Sequence, residues 1–135
     1  MRAPGAAILS LSVRYPALLE VLEYSSNHPL LGQRCDDAHL VACLGIAEFL
    51  AVCLMLAKRK YTAVHSHWIL LQGFVCGLAA QIFRVPNLLT VHGGDVFGLE
   101  GNLRRKVKWL SLRLAAAVSA NSSVTFAAVE AISYN

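Results

Sequence analysis

The sequence predicts an α/β fold, a parallel sheet flanked by helices, on three observations. A strand, helix, strand unit is legible between residues 61 and 92, a further helix and strand follow by residue 120, and polar residues gather where those strands end. With 135 residues the chain suffices for one domain with a real core. Hydrophobic residues make up 56% and charged residues 15%, a balance that excludes a disordered chain and calls for large covered apolar faces.

Residues 1–36 are rich in turn formers (Pro4, Gly5, Pro16, Pro29, Gly32) and read as irregular structure with one short strand at Ala7 to Val13. A helix follows from Asp37 to Ala57, with Asp36 or Asp37 as its cap and Lys58-Arg59-Lys60 at the negative end of its dipole. From Leu40 to Ala57 this helix is apolar except for Glu48. Its length and positive flank would suit a membrane span, but a carboxylate at mid-depth opposes insertion, so a buried or membrane-resting helix is the favoured reading.

The informative core, 61–133, reads as βαβαβα. Tyr61 to His67 is a strand, Gln72 to Phe83 a helix and Asn87 to His92 a second strand. Gly93-Gly94 breaks that strand and opens a loop to Asn102. Leu103 to Leu114 is helical, with Leu103, Val107, Leu110 and Leu114 recurring on one face. Ala116 to Ala120 forms a third strand and Ser122 to Ile132 a last helix. Such alternation implies right-handed crossovers onto a parallel sheet with helices on its faces, and ligands then bind beyond the carboxyl ends of the strands. Those ends deliver His65, His67 and Trp68, then His92, Gly93, Gly94 and Asp95, then Ser119, Asn121 and Ser122.

Val91-His92-Gly93-Gly94-Asp95 is the sharpest local signal: an imidazole at the cleft, two glycines that let the backbone approach a ligand, and a carboxylate three residues on. The same residues also read as a turn whose His and Asp cap the segment that follows. In His65-Ser66-His67-Trp68 the alternation of an extended strand puts both imidazoles on one side and leaves the indole at the exit. A zinc site would need further ligands from His92, Asp95 or a cysteine, and none stands at a recognised spacing. Hydrogen bonding to a polyhydroxylated ligand, with the indole as an apolar wall, is the better use, beside the plain alternative of satisfied histidines at a sheet edge. No nucleophile elbow or phosphate-binding loop is present, and Gly73 and Gly77 read as sites of close helix packing.

The formal net charge is +4. The surplus concentrates in Arg104, Arg105, Lys106, Lys108 and Arg113, a basic face able to meet an anionic surface. Aromatic residues are not interleaved with these charges as single-strand binding requires, so no nucleic acid partner is expected. Cys35, Cys43, Cys53 and Cys76 form no CxxC pair and fit a reduced, cytoplasmic chain. No targeting peptide is evident, and the Asn121-Ser122-Ser123 sequon is then coincidental.

Four motifs in series, His65-Ser66-His67-Trp68, Gln72-Gly73, Val85-Pro86 and Thr90-Val91-His92-Gly93-Gly94-Asp95, closely resemble the amino-terminal domain of family 4 glycosyltransferases. Arg14-Tyr15-Pro16 and Leu22-Glu23-Tyr24 extend the likeness more loosely upstream. The resemblance implies the N-terminal, Rossmann-like half of a GT-B fold. It further implies transfer of a sugar from a nucleotide-sugar donor to a glycan or lipid-linked acceptor, without a cofactor or metal. His92 would be the catalytic residue facing the donor sugar. Gly93, Gly94 and Asp95 would shape the donor-sugar loop, and His67, Trp68 and Asn121 would lie on the acceptor side. The basic face would rest on the inner face of a membrane. The family's glycine-rich first strand and its nucleotide-binding second domain are not recognisable, so the chain is expected to be an incomplete domain, inactive alone. A reading of another class is a small non-catalytic, membrane-associated module using the 40–57 helix and the 104–113 basic face.

Overall fold

The computed structural model describes residues 8–11, 34–98 and 101–134, with the side chains of 39–98 and 101–134. Four strands, β1 (Ile8–Leu11), β2 (Ala63–His67), β3 (Asn87–Val91) and β4 (Ala117–Ala120), form one parallel sheet in the order β1-β2-β3-β4. Five helices connect and follow them: α1 (Arg34–Ala57), α2 (Leu71–Phe83), α3 (Gly93–Phe97), α4 (Asn102–Leu114) and α5 (Ser123–Ser133). The α/β class with a parallel sheet and flanking helices is as expected. Of the upstream strand only 8–11 is described, and the irregular stretch expected around it lies largely outside the described residues. The helix expected from Asp37 begins at Arg34, so Asp36 and Asp37 sit inside its first turn instead of capping it.

Helices on both faces were expected, whereas the described helices pack on one. A sheet whose strands run in sequence order, joined by crossovers of one hand, receives every crossover on the same side. Val64 of β2 packs with Val52 and Leu56 of α1 and with Cys76, Ala79 and Ala80 of α2. Leu89 and Val91 of β3 pack with Ile69, Val96 and Val129, which extends the same layer through α3 and α5. Because side chains alternate along a strand, His65, His67 and Thr90 point to the opposite face. A row of hydroxyls and imidazole crosses that face, from His65 Nε2 to Thr90 Oγ1 (2.8 Å) and on to Ser119 Oγ (2.8 Å).

Two glycines set how closely α2 lies. A Cβ on Gly73 would stand 2.8 Å from the Trp68 carbonyl and 2.9 Å from Leu89, and one on Gly77 would stand 2.8 Å from Leu114 of α4. The packing role read from sequence is therefore realised against strand and helix alike.

Among the described residues α1 is long and apolar enough to cross a membrane by length and composition. In the fold its inner side lies on α2, and Glu48 is buried there with neither carboxylate oxygen hydrogen-bonded. Burial pushes the Glu48 carboxyl above its ordinary range. Burial, with Glu48 nearby, also pushes the Cys76 thiol up to about 12, which makes it an inert core group. A carboxyl raised in the folded state is tolerated below its unfolded value and destabilises as pH rises through the folded one. Glu48→Met should therefore raise thermal stability, by about 1–3 kcal/mol at alkaline pH and by less at pH 5. Unfolding curves at the two pH values check this, and an equal or opposite effect would contradict it.

Candidate functional site

The carboxyl edge is assembled by the exits of β2 and β3. Leaving β2, Trp68 takes φ +72°, a left-handed conformation that costs a side-chain-bearing residue roughly 1–2 kcal/mol. Its amide donates to the Thr90 carbonyl at 3.1 Å, while its own carbonyl accepts from Gly73 N at 2.8 Å, the first turn of α2. Strain held in this way throws the indole across the edge toward β3.

Leaving β3, the chain forms a helix where a loop was expected. Extended His92 precedes α3, and Asp95, three residues on, accepts the His92 amide on Oδ1 at 3.1 Å. This is half of the reciprocal arrangement that starts helices. The other oxygen, Oδ2, accepts the amide of Ile69 at 2.5 Å, across from the β2 exit. Asp95 is 4% exposed, and both of its oxygens are engaged by backbone amides. It brackets the two strand ends. Burial pushes its carboxyl up, against the backbone amides of Ile69, Asp95 and His92 and the charge of His92, which pull it down.

The bracket brings three imidazoles and one indole together. His65 and His67 lie 4.4 Å apart between ring centres, His67 stacks on His92 at 5.8 Å, and Trp68 leans on His92 at 5.4 Å. His92 Nε2 stands 3.5 Å from His67 Nδ1, so one ring donates where the other accepts. Gly94 completes the floor: a Cβ there would come 4.0 Å from the Trp68 ring. Gly93 stands beside Thr125 and Phe97. Burial, then the charges of His65 and His92, hold the His67 imidazole below its ordinary value, which keeps it neutral and able both to donate and to accept.

Asn121 shares this edge but joins no contact with the imidazoles. Its Oδ1 accepts from Thr125 Oγ1 at 3.0 Å, and its amide donates to Val91 O. Ser122 caps α5 by accepting from Thr125 N at 3.1 Å.

The expected basic face divides. Arg104, Arg105, Lys106 and Arg113 are exposed, and the Arg113 guanidinium lies 5.5 Å over the Trp109 ring. Lys108 is not on that face: it is 6% exposed, and its Nζ donates to the carbonyls of Val96 (2.8 Å) and Gly98 (3.0 Å), capping the end of α3. Leu103, expected on the buried stripe, is 76% exposed, and α4 buries Lys108 and Ser111 instead. The helical phase was legible, but a lysine whose charge is met by two carbonyls outcompetes a leucine for the interior here. Reasoning from sequence also missed Thr90 as the partner of His65 and Ser119 as the partner of Thr90. Among the described residues no cluster of three or more metal-ligating side chains occurs.

Among known proteins, a family described as glycosyl transferase 4-like domain matches residues 5–134. No curated protein and no solved structure matches the chain.

One expectation follows from the imidazole geometry. An NMR titration should place His67 below the ordinary imidazole value of about 6.5, and in His92→Gln its midpoint should rise without reaching that value, because burial is the larger cause. Below about pH 6.5 the unfolded chain then binds the proton first, so this residue's contribution to stability is lost on the acid side. A His67 midpoint at or above 6.5 would contradict the account.

Proposed function

The chain belongs to the glycosyl transferase 4-like domain family, and from that premise we propose that it forms the acceptor side of an enzyme that moves a sugar from a nucleotide-sugar donor to a glycan or lipid-linked acceptor. The reading rests above all on one observation: His67, Trp68 and His92 converge at the carboxyl edge of a parallel sheet, beside Gly94, while both oxygens of the neighbouring Asp95 accept backbone amides.

That convergence suits sugars. A hydroxyl group both donates and accepts, as does a neutral imidazole, and an indole face offers the apolar wall on which a pyranose ring lies. In the proposed division of labour, His92 faces the donor sugar, orients it and stabilises charge that develops as the glycosidic bond to the nucleotide breaks. His67 and Trp68 hold the acceptor. Gly93 and Gly94 allow close backbone approach, and Asp95 positions His92 without touching substrate. Asn121, engaged with Thr125, shapes the neighbouring rim. A second Rossmann-like half would supply the donor's nucleotide site, so this domain needs that half for turnover. No cofactor enters the proposed reaction. We place Arg104, Arg105, Lys106 and Arg113 toward an anionic surface such as the inner face of a membrane, where lipid-linked acceptors reside.

The test is sugar transfer in a two-domain enzyme that carries this domain. His92→Ala should lower kcat by about 100-fold or more, the scale seen when a group stabilising developing charge is removed, with the circular dichroism spectrum unchanged. Trp68→Ala should act mainly on the KM for acceptor. An unaltered kcat in His92→Ala would remove the role assigned to it.

A further inference from the structure

At the opposite, amino edge of the sheet a groove of about 670 Å³ opens between the ends of α1 and α2. Arg59 and Arg84 line it together with Tyr61, Leu56, Ile82 and Phe83. Neither arginine is there by default. Both sit just past a helix, at φ +52° and +54°, in the left-handed conformation that ends helices and that glycine adopts freely. Their amides close the last turns, Arg59 N to Leu56 O at 2.9 Å and Arg84 N to Gln81 O at 3.2 Å. Two helix ends thus each carry a strained arginine, and both residues border one groove. No acidic residue is among those lining it. Of the carboxylates whose side chains are described, Glu48 is buried on α1, Asp95 is engaged at the far edge and Glu130 lies exposed on α5.

We propose that this groove is a binding site for the phosphate headgroup of an acidic phospholipid, held by Arg59 and Arg84. A guanidinium presents paired N–H donors that match phosphate oxygens, and two arginines lining one groove with no acidic residue among its lining suit an anion. The surroundings select a lipid over a free phosphate. Ile82, on the rim, is 63% exposed, and Leu50 and Leu54, about two turns and one turn before the end of α1, are 55% and 70% exposed. Exposed leucines therefore lie along α1 toward the end that borders the groove, a surface along which acyl chains would continue from a seated headgroup. Lys58 and Lys60, both exposed, flank it with the charge that draws a protein to an anionic leaflet. The proposal does not rest on sugar transfer, since it uses the opposite edge of the sheet.

The experiment is cosedimentation of the chain with phosphatidylcholine vesicles, with and without phosphatidic acid. Binding should require the acidic lipid. The informative comparison holds charge constant: R59G/R84G and K58Q/K60Q each remove two positive charges, but only the first empties the groove, and glycine suits both left-handed positions. The arginine pair should weaken binding at least about tenfold more than the lysine pair. Ile82→Glu, which sets a carboxylate at the rim without altering a helix end, should reproduce the arginine phenotype. Excess inorganic phosphate should leave the chain on the vesicles. Equal losses for the two pairs would reduce the effect to diffuse charge and overturn the site. Release by inorganic phosphate would overturn the lipid as its occupant. Self-association that R59G/R84G abolishes, without vesicle binding, would assign the groove to a second copy instead.

Discussion

One buried carboxylate ties the carboxyl edge of this sheet together. Asp95 accepts the amide of Ile69, 26 residues before it in sequence, on one oxygen and that of His92 on the other, joining the exits of two adjacent strands. Hydrogen bonds to a charged acceptor are roughly twice as strong as neutral ones, and this one is shielded from water. Everything at the edge follows from it. The turn that carries Trp68 in a left-handed conformation is held, α3 starts where it does, and the His67 and His92 rings stack. Lys108 secures the other end of α3 by donating to two carbonyls, so the Gly93-Gly94 segment is fixed at both ends by buried ionisable groups.

This arrangement separates holding from contact. Asp95 and Lys108 carry opposite formal charges, Asp95 accepting two backbone amides and Lys108 donating to two backbone carbonyls. The groups left at the surface of the edge are imidazole and indole, which suit a neutral, hydroxyl-rich ligand. Glu48 is the contrasting case: buried between α1 and α2 with neither oxygen paired, it opposes the packing that encloses it. The amino edge has a different character again, with exposed arginines and an exposed isoleucine in place of imidazoles.

Much of the fold was legible because its signals are local. Alternation along Ala63–His67 and Asn87–Val91, and the glycines that let α2 approach, require only neighbouring residues to be read. His67, Trp68 and His92 were found because strand ends and motif order both indicate the same edge. What escaped depends on distant partners. Lys108 reads as one more charge in a basic run until Val96 and Gly98 come within reach of its ammonium group. Gly93-Gly94 reads as a break, since no local pattern says that a carboxylate will also anchor Ile69. The one-sided helix layer is likewise a consequence of strand order, which composition and periodicity do not encode.

The most direct test of the bracket is amide hydrogen exchange in Asp95→Ala, followed at Ile69 and His92 against Val64 and Leu89 in the core. If one carboxylate joins the two strand exits, exchange should quicken at Ile69 and His92 together, and proton contacts between the His67 and His92 rings should vanish while the core amides stay protected. Unchanged protection at both sites, or persistence of the ring stack, would show that the edge is held by something other than Asp95.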